Sequence, residues 1–475
     1  MLNSCSIRLF SSQFCISTSR FSTGSPTLRS FKLYLIAGEA SGDAIGAKVI
    51  RALQRQQPPK QCLEFRGIGG PQMCQAGGFE SLFPINDLSI MGFVEVLPHI
   101  WRLRQRLDAT LRDIQAFKPE LVLTIDSKGF NFRVLKALQA REAKHGGKRI
   151  RKVHYVSPSV WAYKHRRKRD FTDLKQLLDA LFTILPFEED IFHAGEINQS
   201  LQRSDVENAN QPWCHFVGHP TVEDFLEANG VFESSQSCLL TSENYFPEKK
   251  IATGADALLD LTKHDTAQLL RRTWLFQNMI LNGRNENVRD QMREKLGIPA
   301  DAFVICALVG SRENEVKKST PLVLNAIKQF KQKKDSQHEQ QSSNAAVAVS
   351  GTIVLETTLA GLPTVVIYRA NWLTEWIAQW LAAVRFISVP NLLLGRMLIP
   401  ELLFSKCSAS KIAETLRSFQ KYPLKQRDVF ELAMTASTLT NWLEPDKVSA
   451  TSNCLKPIRA SDLCAKHVLN LLAKK

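Results

Sequence analysis

The chain has no run of residues long and apolar enough to cross a membrane. Its most apolar stretch, residues 347–368, includes Glu356, several Ser and Thr residues and a Gly-Leu-Pro break, so any membrane contact is expected to be peripheral. It has no Cys-x-x-Cys pair either. The ten cysteines are scattered across 475 residues, which argues against a disulfide framework or zinc ribbon and suits a reducing compartment. His215 and His219 stand four apart, but "HFVGHP" reads as a strand entering a turn. The two would not share a helix face, and no metal pair is expected. Acidic residues are absent before Glu39. The segment they avoid holds Arg8, Arg20 and Arg29 and, within residues 1–30, nine serines. It also lacks the continuous apolar core of a secretory signal. Residues 1–30 therefore read as an organelle transit peptide, mitochondrial before chloroplast, with a disordered tail as the alternative.

What is present points to two domains, because 475 residues exceed one compact unit. Hydrophobic residues make up 44% and charged residues 23%, ample core-forming material for a globular protein. The formal net charge of +15 leaves three kinds of partner in view: nucleic acid, an anionic membrane surface, or phosphate-bearing substrates. The positive charge is dispersed and no nucleic-acid motif occurs, so nucleic acid is set aside.

From residue 31 to about 225, short apolar runs alternate with helical stretches; "LYLIAG", "LVLTID", "KVHYVS", "ALFTILPF" and "HFVGHP" are the strand candidates. This alternation predicts a parallel sheet wrapped by helices, with ligands bound beyond the carboxyl ends of the strands. Residues 226–296 are polar around one helical patch and read as an insert or linker. A second α/β unit, residues 297–371, starts at "AFVICALVGSRENEV" and returns through "AAVAVSGTIVLETTLAGLPTVVIY". Residues 372–475 read as helices packing back on the first domain. In "AGEASGD", Gly38 and Gly42 permit a tight turn, and the helix N-terminus that follows can receive an anion or sugar hydroxyls. Ser41 and Asp43 serve equally well as plain helix caps.

Ten motifs then occur in order between about residue 34 and 407: "AGEASGDAIGAKVIRAL", "GIGGPQM", "MGFVEVLPHI", "HYVSPSVWAYKHRR", "LPFE", "FVGHP", "GSRENEV", "SGTIVLETTLAGLP", "YRANWLTEW" and "ISVPNLLLGRMLIPELL". Together they resemble the lipid-A-disaccharide synthase family. The resemblance implies a GT-B-like α/β fold, two Rossmann-like parallel-sheet domains facing a cleft. It implies an inverting glycosyltransferase that joins UDP-2,3-diacylglucosamine to 2,3-diacylglucosamine 1-phosphate, giving a β-1,6 disaccharide and UDP. No metal and no cofactor are implied. The implied partners are the UDP-sugar donor, the acylated sugar-phosphate acceptor and an anionic membrane surface; a homodimer is compatible. With the presequence, the expected location is the matrix side of the mitochondrial inner membrane.

Inversion needs a base for the acceptor hydroxyl and stabilisation of the departing diphosphate. On the family pattern, Asp126 is the candidate base or base-orienting residue. Glu39, Ser41 and Asp43 would face the reacting sugars, with Ser157 on the same side. Arg312, after Gly310 and Ser311, would fork onto phosphate oxygens, or else pair with Glu313 or Glu315. Ser350, Gly351 and Thr352 open a helix whose amides would add to the diphosphate site. Glu356 would accept from the ribose diol, or merely favour the helix dipole. Asn391 would touch the donor, or satisfy loop backbone. Met91, Phe93, Val94, Val96, Leu97, Ile100 and Trp101, beside Arg102, Arg104 and Arg106, would meet acyl chains at an anionic membrane; an ordinary core helix is the rival.

Two departures from the family pattern stand out. Asp126-Ser127-Lys128-Gly129-Phe130-Asn131 places Gly129 where bacterial members carry a second aspartate, so Lys128 would partly replace lost polar contacts. Gly310 and Ser350 are only forty positions apart. A βα unit takes roughly 30 residues or more to return to its sheet, so one helix and one strand fit where a nucleotide domain needs several. The expectation is a shortened second domain that binds UDP weakly or is unstable. The alternatives are a catalytically impaired splice variant, or another GT-B UDP-sugar enzyme such as an epimerase or a muramyl-type transferase. The 88–106 segment and "SPSVWAY" argue against the last two.

Overall fold

The computed structural model describes residues 29–59, 61–88, 100–146, 148–159, 162, 171–200, 213–233, 266–282, 286–299, 302–311, 313–332, 344–369, 384–421, 424–443 and 456–473. The expected transit peptide lies outside these residues except at its end, where Arg29 and Ser30 already belong to the first strand.

The first unit runs β1 (Arg29–Ala37), α1 (Ala40–Gln56), β2 (Gln61–Ile68), α2 (Pro71–Gln75), β3 (Phe79–Ser81), α3 (Ile100–Phe117), β4 (Leu121–Ile125), α4 (Lys128–His145), β5 (Arg151–Tyr155), α5 (Thr172–Leu177), β6 (Ala180–Thr183), α6 (Pro186–Ser200), β7 (Cys214–Phe216) and α7 (Pro220–Ala228). Its seven strands are parallel, in the order β3-β2-β1-β4-β5-β6-β7. All five residues of β4, "LVLTI", are buried, as a strand covered on both faces requires. Side chains alternate across the pleat. Leu33, Leu35 and Ala37 of β1 join one core cluster with α1, while Tyr34 and Ile36 join another with α3 and α4.

After residues 234–265, outside the described set, come α8 (Thr266–Asn282), α9 (Glu286–Lys295), β8 (Ile305–Leu308), α10 (Glu313–Gln332), β9 (Ala345–Val349), α11 (Thr352–Leu359), β10 (Thr364–Tyr368), α12 (Val389–Leu394), β11 (Glu401–Leu403), α13 (Ala409–Lys421), α14 (Gln426–Thr438), β12 (Asn441–Trp442), β13 (Pro457–Ile458) and α15 (Ala460–Ala473). The second sheet has four parallel strands, β11-β10-β9-β8. Within the stretch read as a linker, α8 is a packed helix. Its Phe276 is fully buried, and Leu275, Met279 and Ile280 join Val429, Leu432 and Ala433 of α14. The last helix, α15, returns to the first sheet, where Cys464, Val468 and Leu472 fill the core beside α1 and Arg55 pairs with Asp462 at 2.7 Å. Among the described residues, no helix is long and apolar enough to cross a membrane.

The two sheets meet through α7 and α11. Val222 and Leu226 of α7 share a cluster with Leu355 and Leu359 of α11, joined by Leu185 from the loop after β6. The carboxyl-end loops of the first sheet therefore lie on the side from which α11 leaves the second.

Candidate active site

The loops after β1 and β4 are interlocked. Gly38, buried between strand and helix, leaves no room for a side chain, because a Cβ there would overlap the Cβ and Oγ of Ser127. Gly42 is tight rather than blocked, its Cβ position 3.3 Å from the Ile125 carbonyl oxygen. Between these two glycines, Ser41 Oγ donates to Asp126 Oδ2 at 3.0 Å, while the Ser127 amide donates to Oδ1 at 2.8 Å. Each carboxylate oxygen of this half-buried side chain thus holds one donor and retains lone pairs for another.

The backbone here is unusual. Asp126 (φ 51°) and Ser127 (φ 41°) are consecutive left-handed residues, and Val156, at the end of the neighbouring β5, has φ 71°. Left-handed geometry costs a non-glycine residue of order 1–3 kcal/mol and recurs at sites where function over-determines it. Asn131 secures the turn by donating to the carbonyls of Ile125 (3.0 Å) and Asp126 (2.8 Å). Among the described residues, neither its buried Oδ1 nor the buried Ser157 hydroxyl finds a hydrogen-bond partner. Ser127, Asn131 and Val156 were not singled out from the sequence. A β-branched valine gives no local signal of positive φ, and Asn131 stood out only as part of a motif.

Two residues assigned to substrate are internal instead. Asp43 is 3% exposed, and its carboxylate accepts from the amides of Gly70 (2.8 Å), Met73 (3.0 Å) and Gln72 (3.0 Å). It caps α2 from a distance, so that "GEASGD" holds "GIGGPQM" in place, and at 3% exposure it is turned inward rather than open to a sugar. A Cβ on Gly70 would collide with this carboxylate. Asn391 is fully buried. Its Nδ2 donates to Ile399 O (2.7 Å) and Glu401 Oε1 (2.9 Å), and its Oδ1 accepts from the amides of Leu398 (2.7 Å) and Ile399 (2.9 Å). All four side-chain positions are used, so Asn391 wires its own loop and does not reach a donor. Glu401 completes the network by accepting from Ser388 N and Oγ.

The second sheet offers a more open half-site. Gly351 and Thr352 are exposed at the start of α11, and nothing lies within 4 Å of where a Gly351 Cβ would be. Glu356, one turn on, is exposed too. Its carboxyl pKa is raised, first by burial of part of the group, then by Asp224; Lys48 opposes the shift. At the end of β8, Gly310 has φ 106° and lies under Glu315, whose Oε2 is 2.7 Å from where a Cβ would sit. Gly310 and Ser311 are exposed. Arg312 lies outside the described residues, as do Met91, Phe93, Val94, Val96 and Leu97.

At the far edge of the first sheet, Trp101 is 74% exposed on the first turn of α3. Arg102 and Arg106 do not point freely at a membrane: both pair with the largely buried carboxylate of Asp87, and Arg106 also covers the Phe83 ring at 4.6 Å. The histidines of "HFVGHP" part company. His215 stacks on His467 of α15 at 4.2 Å, whereas His219 caps α7 through Nδ1, accepting from the Thr221 amide at 3.2 Å.

Comparison with known proteins agrees with the motif order. The family described as lipid-A-disaccharide synthetase matches residues 33–237, 270–340 and 333–436. A relative from Arabidopsis thaliana named "Probable lipid-A-disaccharide synthase, mitochondrial" is 32% identical, over 81% of this chain and 78% of its own length. The lipid-A-disaccharide synthase of Granulibacter bethesdensis is 34% identical over 81% and 85% respectively. A solved structure of UDP-GlcNAc 2-epimerase from Neisseria meningitidis aligns with 94% of this chain and all of its own, at 11% identity and a TM-score of 0.42. The family match covers most of the chain and includes the interlocked β1 and β4 loops: this protein belongs to the lipid-A-disaccharide synthase family.

Proposed function

We propose that the chain transfers a diacylglucosaminyl group from UDP to the 6-hydroxyl of 2,3-diacylglucosamine 1-phosphate, with inversion at the anomeric carbon. The observation that carries this reading is the Ser41–Asp126 pair, held on a doubly left-handed turn that Gly38 locks against Ser127. The acceptor oxygen attacks the donor anomeric carbon opposite the diphosphate. The carbon–oxygen bond to UDP breaks, its electron pair leaves with UDP, and the hydroxyl proton passes to Asp126. Glu39, at the N-terminus of α1, and Ser157, beyond β5, border the same loops. Ser350, Gly351, Thr352, Ser311 and Arg312 would receive the diphosphate, and Glu356 the ribose diol. Trp101, with the apolar residues that precede α3, would meet acyl chains at a membrane surface. The mitochondrial name of the Arabidopsis relative and the Arg/Ser-rich presequence support a mitochondrial location.

The test is transfer from UDP-2,3-diacylglucosamine to the acceptor in mixed micelles, with product linkage read by NMR. Asp126→Asn should lower turnover about 10²–10⁴-fold, the usual weight of a general base, without loss of fold. Turnover unchanged in that variant would remove Asp126 from the mechanism. A second reading has its own observation. Cys306 and Ala307 in the edge strand β8 are exposed, and the family match restarts within residues 333–340, just where a nucleotide domain would add strands. On this reading the chain binds acceptor but holds UDP weakly. Calorimetric titration with UDP separates the two.

A further inference from the structure

Three charges from three elements meet where the two sheets join. Lys48 of α1 reaches α7, its Nζ 2.5 Å from Asp224 Oδ1 and donating to the Pro220 carbonyl at 3.0 Å. The lysine side chain is only 15% exposed, so its stem is packed and its charge has a fixed address. Helix α7 in turn packs against α11 through Val222, Leu226, Leu355 and Leu359, and Glu356 follows Leu355 on that helix. Glu356 thus belongs to the helix that meets α7 at the sheet junction, and α7 presents Asp224 and its lysine clamp.

Of the other charged groups on the elements around α11, Glu227 of α7 is exposed, and Glu223, His219 and Glu431 are engaged elsewhere. Glu223 of α7 is buried and accepts from Ser461 N (2.9 Å) and Oγ (2.6 Å). His219, at the cap of α7, is buried and held neutral, its pKa lowered to about 3 by burial and then by Lys48. On α14, Glu431 pairs with Arg427 at 3.0 Å and with Arg396. Among the described residues, Asp224 and Lys48 are the charged groups that act on the Glu356 carboxyl, with opposite sign.

We propose that Lys48 is a positioning residue for the nucleotide half-site: by neutralising Asp224 across the sheet junction, it keeps the Glu356 carboxylate charged and able to accept from the ribose hydroxyls of a nucleotide. The inference rests on the donor-site reading above for what Glu356 binds, but not for the coupling itself. An acceptor-domain lysine thereby tunes a donor-domain carboxylate, and docking of α7 on α11 becomes part of donor recognition.

The test uses the full chain carrying ¹³C-glutamate, with the Glu356 carboxyl signal assigned through Glu356→Gln. Its pH titration is followed in Lys48→Met, Lys48→Arg, Asp224→Asn and the Lys48→Met/Asp224→Asn pair. Lys48→Met should move the Glu356 midpoint further up, Lys48→Arg should leave it in place, and Asp224→Asn should bring it down. The double variant should return it towards the starting value. Uridine, which has the ribose diol without phosphate charge, serves as the binding probe. Lys48→Met should weaken it about two- to fivefold on the acid side of neutrality, the range of one exposed charge pair, and not at pH 8. A Glu356 midpoint unmoved by Lys48→Met, or not restored by Lys48→Arg, overturns the proposal. If the starting protein binds neither uridine nor UDP, the donor-site reading fails instead, and the titration still decides the coupling.

Discussion

Among the described residues, the first sheet is covered on both faces and guarded at both edges, and the second is not. Seven strands of the first are covered on both faces by α1, α3, α4 and α15, and the loops at their carboxyl ends fit so closely that Gly38 is sterically required. The second sheet has four strands. One face carries a full cluster built on α10 and α13, while the other, among the described residues, has a smaller one of Ala348, Val354, Val366 and Ile399. Its edge strand β8 exposes its two central residues. A closely packed loop is preorganised before substrate arrives and an open one must be ordered by it. On the proposed function, the first sheet would carry the rigid chemistry and the second the adaptable binding.

The largest expected effect tests that contrast at two glycines. Gly38→Ala drives a Cβ into Ser127 and should cost about 3 kcal/mol, the upper range for overpacking. Gly351→Ala meets nothing within 4 Å at an extended φ of 163° and should stay within about 0.5 kcal/mol. Ser127→Gly should restore the first variant, because it removes the obstructing side chain and relaxes a left-handed residue. Urea unfolding midpoints decide it. Equal losses at the two glycines would erase the distinction between the loops.

Next come the two buried networks. Asp43→Ala strands three amides and Asn391→Ala strands two amides and a carbonyl, so each should cost about 2 kcal/mol. The sharper outcome concerns Asn391. As internal wiring, its loss should lower stability. As a donor contact, it would weaken nucleotide binding at unchanged stability, and that result would return Asn391 to the site.

Acid should separate the units further. Burial lowers the pKa of both His154 and His219 to about 3, so both are neutral in the folded first unit. Their contribution is complete above the unfolded value near 6.5 and is lost as pH falls towards 3, because only the unfolded chain takes up the proton. At pH 5.5 each should cost about 1 kcal/mol. Glu223, whose pKa burial raises, acts in the opposite sense: its stabilisation is complete below the unfolded carboxylate value and fades as pH rises through the folded one. His154→Leu should flatten the fall in unfolding temperature between pH 6.5 and 5. An unchanged slope would mean that this ring titrates in the folded protein.

Much of this was legible in the residues, for physical reasons that differ by element. Strands such as "LVLTI" and "AAVAV" are buried on both faces and so appear as unbroken apolar runs, and the short Gly310–Ser350 interval limits how many strands fit between β8 and β9. Asp126 and Ser41 were legible as motif members, and the structure brings them together across 85 positions. Asp43 and Asn391 make the internal contacts that stood as their alternatives, since a polar side chain in a loop motif looks the same whether it faces a ligand or the loop's own amides. Residues 226–296 looked like a linker because α8 buries its apolar stripe against α14, about 150 residues away. No local pattern carries such a contact.

The smallest expected effect bears on the edge strand. Sheets guard their edges with charge, proline, bulges or covering elements. The first sheet does so at both ends: β3 presents Glu80 outward, and β7 is covered by Glu189 on the Phe216 amide and Asn441 on the Phe216 carbonyl. At one end of the second sheet, β11 is tied under a loop through the buried Glu401, which accepts from the Ile387 and Ser388 amides, but β8 reads Ile-Cys-Ala-Leu and has no charge to deter a neighbouring chain. Ala307→Lys supplies one. Since Ala307 is exposed, stability should change by less than about 0.5 kcal/mol, while concentration-dependent association, read by light scattering, should fall. An unfolding temperature several degrees lower would instead mean that β8 is covered in solution, and that the second sheet is as complete as the first.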